Sequence, residues 1–212
     1  MSAFLLDFGR MEYGKALGLQ KELAARRARG EIPDSLILVE HEPVITLGRK
    51  TTPSNFRSQN LPVFEVERGG DATYHGPGQL VGYPIVLLTD HDVRRHVRSM
   101  EEAIIRTTAG YGIRGERLEG HPGIWVNGKK LASIGVAVTN WVTYHGFALN
   151  VNTDMAYFDL IRPCGLDPST MTSMQKIIGM ALPFDEVKAR FAREYSSVTG
   201  RVLVHQRLVT PD

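Results

Sequence analysis

Cysteine is nearly absent from this sequence: its 212 residues include only Cys164. A single thiol excludes an internal disulfide and any site built from several thiolates, and it suits a reducing compartment. Long apolar runs are absent as well, since no stretch approaches the roughly 20 residues that span a bilayer. Residues 1–8 lack the pattern of a signal peptide. The sequence therefore predicts a cytoplasmic protein with no membrane segment.

The sequence also lacks an excess of charge of one sign, because its formal net charge is only +2. This value gives no reason to expect a nucleic-acid partner. Four of the histidines, His41, His75, His121 and His145, are scattered without any metal-ligand spacing, so we expect no metal and no cofactor. A chain with 42% hydrophobic residues can bury a core unaided. We expect one domain, residues 1–212, and a monomer.

Periodicity predicts more strands than helices. Strand patterns cover residues 4–7, 35–40, 44–47, 62–67, 80–88, 124–126, 129–139, 141–151 and 202–205, and helical patterns cover residues 13–29, 92–111 and 183–199. Residues 41–43 are expected to form a turn between two successive strands. Asn127-Gly128 suits the positive φ angles of a type I′ hairpin turn. The pattern indicates a strand-rich α+β domain.

Cys164 is the first candidate for chemistry. It lies in a predicted loop between Pro163 and Gly165, where glycine allows close approach of a ligand. Arg162 adds positive charge, which favours a thiolate. An isolated cysteine is also commonly a small buried hydrophobe, and the residues alone leave both interpretations open.

Lys130 is the second candidate. If residues 129–139 form a regular strand, Lys130 lies on the same face as Ala132, Ile134 and Val136, which is the more apolar face. A lysine in a partly dry pocket can exchange a proton with a nearby thiol. The alternative is a lysine at the end of a strand whose ammonium reaches water.

Two glycine-containing stretches could line a binding site. Residues 68–79 (RGGDATYHGPGQ) match no nucleotide-binding pattern, but the glycines would let backbone amides approach a ligand. His75 within it could act as an acid, a base or a hydrogen-bond donor. Residues 145–148 (HGFA) interrupt a strand-like run, which indicates either a pocket-facing histidine or a packed bulge.

Five stretches together resemble the lipoyl(octanoyl) transferase family, the octanoyl-carrier-protein:protein octanoyltransferases of lipoic acid synthesis. They are residues 46–49 (TLGR), 68–79 (RGGDATYHGPGQ), 128–135 (GKKLASIG), 144–151 (YHGFALNV) and 162–165 (RPCG). The resemblance extends over about residues 35–180. In that family a lysine immediately precedes the LASIG stretch, which selects Lys130 over Lys129.

The resemblance implies a mixed β-sheet with flanking helices, similar to the catalytic domains of biotin and lipoate protein ligases. It also implies that Cys164 carries the acyl group as a thioester and that Lys130 favours its thiolate. The acyl pocket would be lined by Arg68, Gly69, Gly70, Asp71, Ala72, Thr73, Tyr74, His75, Ser133, Ile134, Gly135, Gly146, Phe147 and Ala148.

The implied donor is octanoyl-acyl carrier protein, and the implied acceptors are lipoyl domains of 2-oxoacid dehydrogenases and the glycine cleavage H protein. These partners are expected to be acidic, and six arginines could steer them if they are not simply a solvated face: Arg26, Arg27, Arg29, Arg94, Arg95 and Arg98. Two alternatives stay open. One is an ATP-dependent lipoate or biotin ligase on the same fold, and the other is a binding module for lipoyl domains without chemistry.

Overall fold

The computed structural model describes residues 1–52, 61–161 and 168–206. Eleven strands occur in these residues: β1 (Ser2–Met11), β2 (Asp34–His41), β3 (Val44–Leu47), β4 (Val63–Glu65), β5 (Thr73–His75), β6 (Gln79–Ile85), β7 (Glu116–Leu118), β8 (His121–Val126), β9 (Lys129–Thr139), β10 (Val142–Asn150) and β11 (Val202–His205). The helices are α1 (Tyr13–Ala28), α2 (Val93–Ala109), α3 (Met174–Ile178) and α4 (Phe184–Thr199), with 3₁₀ turns at Met155–Leu160 and Pro168–Thr170.

Eight strands form one mixed sheet in the order β11-β1-β2-β6-β10-β9-β8-β7. Strand β1 runs parallel to both of its neighbours, whereas β2, β6, β10 and β9 pair antiparallel in succession. A smaller sheet has the order β4-β3-β5. The expected α+β class, with a mixed sheet and flanking helices, is therefore confirmed.

Strand β2 shows why the large sheet is buried on both sides. Leu36 and Leu38 pack in the cluster that includes α2 and α4, whereas Ile37 and Val39 pack in the cluster that includes α1. Successive side chains of a strand point to opposite faces, so a run of apolar residues fills two cores at once. The helices accordingly cover both faces of this sheet.

The turn expected at residues 41–43 does not join neighbouring strands. Strand β2 pairs with β1 and β6 in the large sheet, whereas β3 pairs with β4 and β5 in the small one. The segment therefore carries the chain from one sheet to the other. The stretch 68–79, which lies outside every predicted strand and helix, contains the short strand β5.

The predicted hairpin is confirmed. Asn127 and Gly128 have φ angles of 50° and 74°, as a type I′ turn requires, and they join β8 to β9. Among the described helices, none is long and apolar enough to cross a membrane.

Candidate active site

A cavity of about 420 Å³ lies where the loop before β5 meets β9 and β10. Strand β8 pairs with β9 only as far as Gly123 opposite Ser133, and the cavity-lining stretch 134–136 follows beyond that point. The cavity is lined by Tyr13, Lys50, Arg68, Gly69, Gly70, Asp71, Ala72, Thr73, His75, Tyr83, Val97, Gly120, His121, Pro122, Lys130, Ser133, Ile134, Gly135, Val136, His145, Gly146, Phe147 and Ala148.

Arg68 organises the loop that forms one wall. Its buried guanidinium donates to the backbone oxygens of Asp71 at 2.8 Å and Gly69 at 3.2 Å, and to both the backbone and side-chain oxygens of Thr46 at 2.9 Å. A planar fork of donors can satisfy several fixed acceptors at once, whereas an ammonium cannot. The main role of Arg68 at the cavity is therefore to hold the backbone of this loop in place.

Glycine joins this wall to strand β9. The Gly69 amide donates to the Val136 carbonyl at 3.0 Å. A Cβ on Gly135 would lie 2.8 Å from the Gly69 oxygen, which leaves no room for a side chain there. The Gly69 amide is used in this contact, so it is not available as a hydrogen-bond donor to a ligand.

Thirteen of the fourteen residues expected to line an acyl pocket do line the cavity. Tyr74 does not: it stacks on Tyr157 with the ring centroids 4.8 Å apart and packs edge-on against Phe158. Neighbours along a strand face opposite sides, so Tyr74 turns to the third core cluster while His75 faces the cavity.

Lys130 is buried, with 3% of its surface exposed, and its side chain lines the cavity. Its ammonium nitrogen lies 5.4 Å from the ring centroid of Trp125, its partner across β8 and β9. The expected partial burial is thus present, but the expected register is not. Leu131 is an extra residue in β9, because Lys130 pairs with Trp125 while Ala132 pairs with Ile124.

This bulge changes which residues share a face with Lys130. Residues paired across a sheet point to the same side, so Lys130 lies on the side of Trp125, and Ala132 on the side of Ile124. Beyond the bulge, Ser133 lies on the same side of the sheet as Lys130, and Ala132 lies on the opposite side. A regular alternation could not have predicted this reversal.

Cys164 and its neighbours Arg162, Pro163 and Gly165 lie outside the described residues. The chain that follows them returns to Lys130. Met171 forms a parallel bridge with Lys130, and the Thr172 amide donates to the Lys130 carbonyl at 3.0 Å. Met171 and Thr172 are therefore fixed to the same strand position as the buried lysine.

Two histidines in the cavity are held neutral. Burial lowers the pKa of His75 well below its ordinary value, and the nearby His41 lowers it further. Burial also lowers the pKa of His145 to about 4. His145 has a φ of 56°, and its amide donates to the Gln20 side chain at 2.8 Å. This left-handed residue is the interruption expected within residues 141–151.

Several lining residues were not singled out from sequence, among them Tyr13, Tyr83 and Val97. They come from α1, β6 and α2, which carry ordinary apolar patterns. No local signal distinguishes a side chain that faces a cavity from one that faces the core.

Most of the arginines expected to steer acidic partners are paired within the chain. Five of the six have a carboxylate within 4 Å: Arg26 with Glu22 and Glu31, Arg27 with Asp34, Arg29 with Glu31, Arg95 with Asp90, and Arg98 with Glu101. These pairs leave little net positive charge at those positions, which favours the solvated-face interpretation.

Within the part of the chain that is described, no cluster of three or more His, Cys, Asp or Glu could hold a metal ion.

Known proteins resemble this chain along most of its length. Residues 12–196 match the family described as lipoyl protein ligase A/B catalytic domain. A relative from Rubrobacter xylanophilus, named octanoyltransferase, is 45% identical over 201 residues, which is 91% of each chain. A lipoate-protein ligase A solved with ATP has a TM-score of 0.78 at 16% identity, covering 99% of this chain and 90% of its own. A biotin protein ligase from Aquifex aeolicus has a TM-score of 0.53 at 10% identity, covering 94% and 69%.

Proposed function

The chain belongs to the lipoyl protein ligase A/B catalytic domain family, and we propose that it is an octanoyltransferase with a Cys164 thioester intermediate. The donor is octanoyl-acyl carrier protein, and the acceptor is a lysine of a lipoyl domain. Such domains occur in 2-oxoacid dehydrogenases and in the glycine cleavage H protein. The cytoplasm is the compartment that suits a single reduced thiol. The observation that carries the proposal is the buried Lys130 in the cavity wall, next to the segment that follows Cys164.

The cavity suits an acyl chain with a polar end. Val97, Ile134, Val136 and Phe147 supply apolar surface, while Lys130 and the neutral histidines supply polar groups. Each methylene removed from water contributes about 0.8 kcal/mol. An eight-carbon chain therefore gains enough from burial to be held while its carbonyl reacts.

In the first step the Cys164 thiolate attacks the carbonyl carbon of the donor thioester. A new carbon–sulfur bond forms, the bond to the carrier sulfur breaks, and the carrier leaves as a thiolate that takes up a proton. An unassisted cysteine is only a few per cent thiolate near neutral pH. The Lys130 ammonium, held with little water around it, raises that fraction by its charge.

In the second step the neutral amine of the acceptor lysine attacks the acyl-enzyme. The carbon–nitrogen bond forms, Cys164 leaves as a thiolate, and the nitrogen loses one proton. Lys130 accepts that proton, because it gave its own to the departing carrier thiolate in the first step. One thioester is exchanged for another and then for a more stable amide, so neither step consumes ATP.

The test compares two reaction mixtures. One contains octanoyl-acyl carrier protein and a lipoyl domain without ATP, and the other contains free octanoate, ATP and the same lipoyl domain. We expect octanoylation in the first and none in the second, and loss of activity in Cys164→Ala. Activity only with ATP, unaffected by Cys164→Ala, would indicate a ligase. Binding of the lipoyl domain without modification in either mixture would indicate a non-enzymatic module.

A further inference from the structure

A tight turn brings two residues of the glycine-rich stretch together. The Gln79 amide donates to the Gly76 carbonyl at 3.2 Å, and Gly78 has a φ of 78°, so residues 76–79 form a type II turn with proline second and glycine third. The turn places the Gln79 side chain against the ring of His75, where Gln79 Oε1 lies 2.8 Å from His75 Nδ1.

Further hydrogen bonds connect Gln79 across the sheet to Asn150 and Thr172. Gln79 and Asn150 are directly paired between β6 and β10, and Gln79 Nε2 donates to Asn150 Oδ1 at 2.9 Å. Asn150 Nδ2 then donates to the Thr172 carbonyl at 3.0 Å, and the Thr172 amide donates to the Lys130 carbonyl. Both amide side chains are only 1% exposed. We call this set, His75, Gln79, Asn150 and Thr172, the amide relay.

Two backbone carbonyls fix the direction of every bond in the amide relay. Carbonyl oxygens only accept, so Asn150 must turn its NH₂ group to Thr172 and Gln79 must turn its NH₂ group to the Tyr74 carbonyl at 3.1 Å. Gln79 Oε1 therefore faces His75. An oxygen acceptor requires the proton on His75 Nδ1, which leaves Nε2 of the neutral ring with a lone pair.

The surroundings of His75 support a neutral ring. The groups that face it from other elements are Tyr13 of α1, His41 of β2, Arg68 of the preceding loop and His145 of β10. Burial, His41, Arg68 and His145 all lower the pKa of His75, and only the contact with Gln79 raises it. No described residue donates to Nε2, and the residue lines the cavity.

We infer that Gln79 and Asn150 are positioning residues that hold His75 as its Nδ1–H tautomer and anchor the Thr172 segment beside Lys130. The Nε2 lone pair then accepts a hydrogen bond from the N–H of the attacking amine, which orients the amine towards the acyl-enzyme. This role in the reaction rests on the proposed function. The assignment of the His75 tautomer does not depend on the proposed function.

The first experiment measures the tautomer. Protein labelled with ¹⁵N in its histidines gives separate Nδ1 and Nε2 signals, and those of His75 are assigned through bonds from its own backbone. At pH 7 we expect a protonated Nδ1 and an unprotonated Nε2. In Gln79→Met, which has a similar volume but no acceptor, we expect the Nε2–H form to appear. A wild-type ring protonated on Nε2, or a ring unchanged in Gln79→Met, would overturn the inference.

The second experiment measures transfer in Asn150→Asp. The carboxylate cannot donate to the Thr172 carbonyl, so the segment beside Lys130 shifts, and a displacement of about 1 Å reduces kcat on the order of 100-fold. We expect KM for the carrier to change little.

Asn152→Asp is the matched control. Asn152 also joins the end of β10 to the later chain, since its Nδ2 donates to the Leu182 carbonyl at 2.8 Å and its Oδ1 accepts from the Leu182 amide at 2.9 Å, but it does not contact the amide relay. Equal kcat in the two folded variants would overturn the positioning role. Absence of octanoyl transfer in the wild type would refute the proposed function instead and would leave the tautomer result standing.

Discussion

Replacing Lys130 by methionine tests the role of the buried lysine, and the adjacent Lys129 supplies the control. Lys130 is 3% exposed and lines the cavity, whereas Lys129 is exposed at the same hairpin. Methionine keeps most of the length of the side chain and removes its charge and its N–H donors. Lys130→Met and Lys129→Met therefore carry the same chemical change at a buried and at a solvated position.

The magnitude follows from Coulomb's law. A unit charge about 4–6 Å from the sulfur, at an effective dielectric constant of about 20, contributes about 3–4 kcal/mol to thiolate formation. Because an unassisted thiol is already a few per cent thiolate at pH 7, the loss of that contribution lowers the acylation rate there by up to about 30-fold. An unassisted thiol ionises around its ordinary pKa of about 8.5, so the deficit should shrink as the pH rises through that value.

The assay is single-turnover formation of the acyl-enzyme from octanoyl-acyl carrier protein, measured from pH 6 to pH 10. We expect Lys129→Met to follow the wild type across this range. A Lys130→Met rate within threefold of Lys129→Met at pH 7, or a deficit that does not change with pH, would refute the electrostatic role.

Three further outcomes follow from the described contacts. Arg68→Met should lower the free energy of unfolding by about 3 kcal/mol or more in urea, because several buried acceptors lose a charged donor, and Arg68→Lys should not restore it. Val97→Phe should fill the cavity and favour shorter chains, with about a fourfold loss of kcat/KM for each methylene that no longer fits. An unchanged ratio of C6 to C8 rates would contradict this. Burial lowers the pKa of His96 and His145 to about 4, so the unfolded chain binds more protons below about pH 6.5. Stability should be complete above pH 6.5 and fall by up to about 3 kcal/mol per histidine towards pH 4, and a flat profile would contradict it.

Local chemistry explains which parts of the fold could be predicted. The Asn127-Gly128 hairpin was predictable because its turn needs residues that accept positive φ. Helices α1, α2 and α4 were predictable from long periodic patterns. Strand β7 and helix α3 were not, because elements of three and five residues carry too little pattern. The sheet change between β2 and β3 depends on pairing with distant strands and leaves no local mark.

Some residues of the candidate site could likewise be predicted from the sequence, and others could not. Its wall at residues 68–73 could be expected because the glycines and the resemblance both indicate close approach. Val97 could not, since it comes from an ordinary amphipathic helix. The face on which Lys130 lies depends on the extra residue Leu131, and a bulge is visible only once the partner strand is known. The hydrogen bonds of Asn150 likewise depend on segments far apart in the chain.

The most direct test of the proposed mechanism is an intact mass measurement followed by a chase. The protein is incubated with octanoyl-acyl carrier protein without ATP, separated from the donor and weighed, with Cys164→Ala treated in parallel. We expect a gain of one octanoyl group in the wild type alone, and its loss when a lipoyl domain is added, with an equal gain on that domain. An adduct that persists in Cys164→Ala, or one that the lipoyl domain does not remove, would contradict a Cys164 thioester as the intermediate.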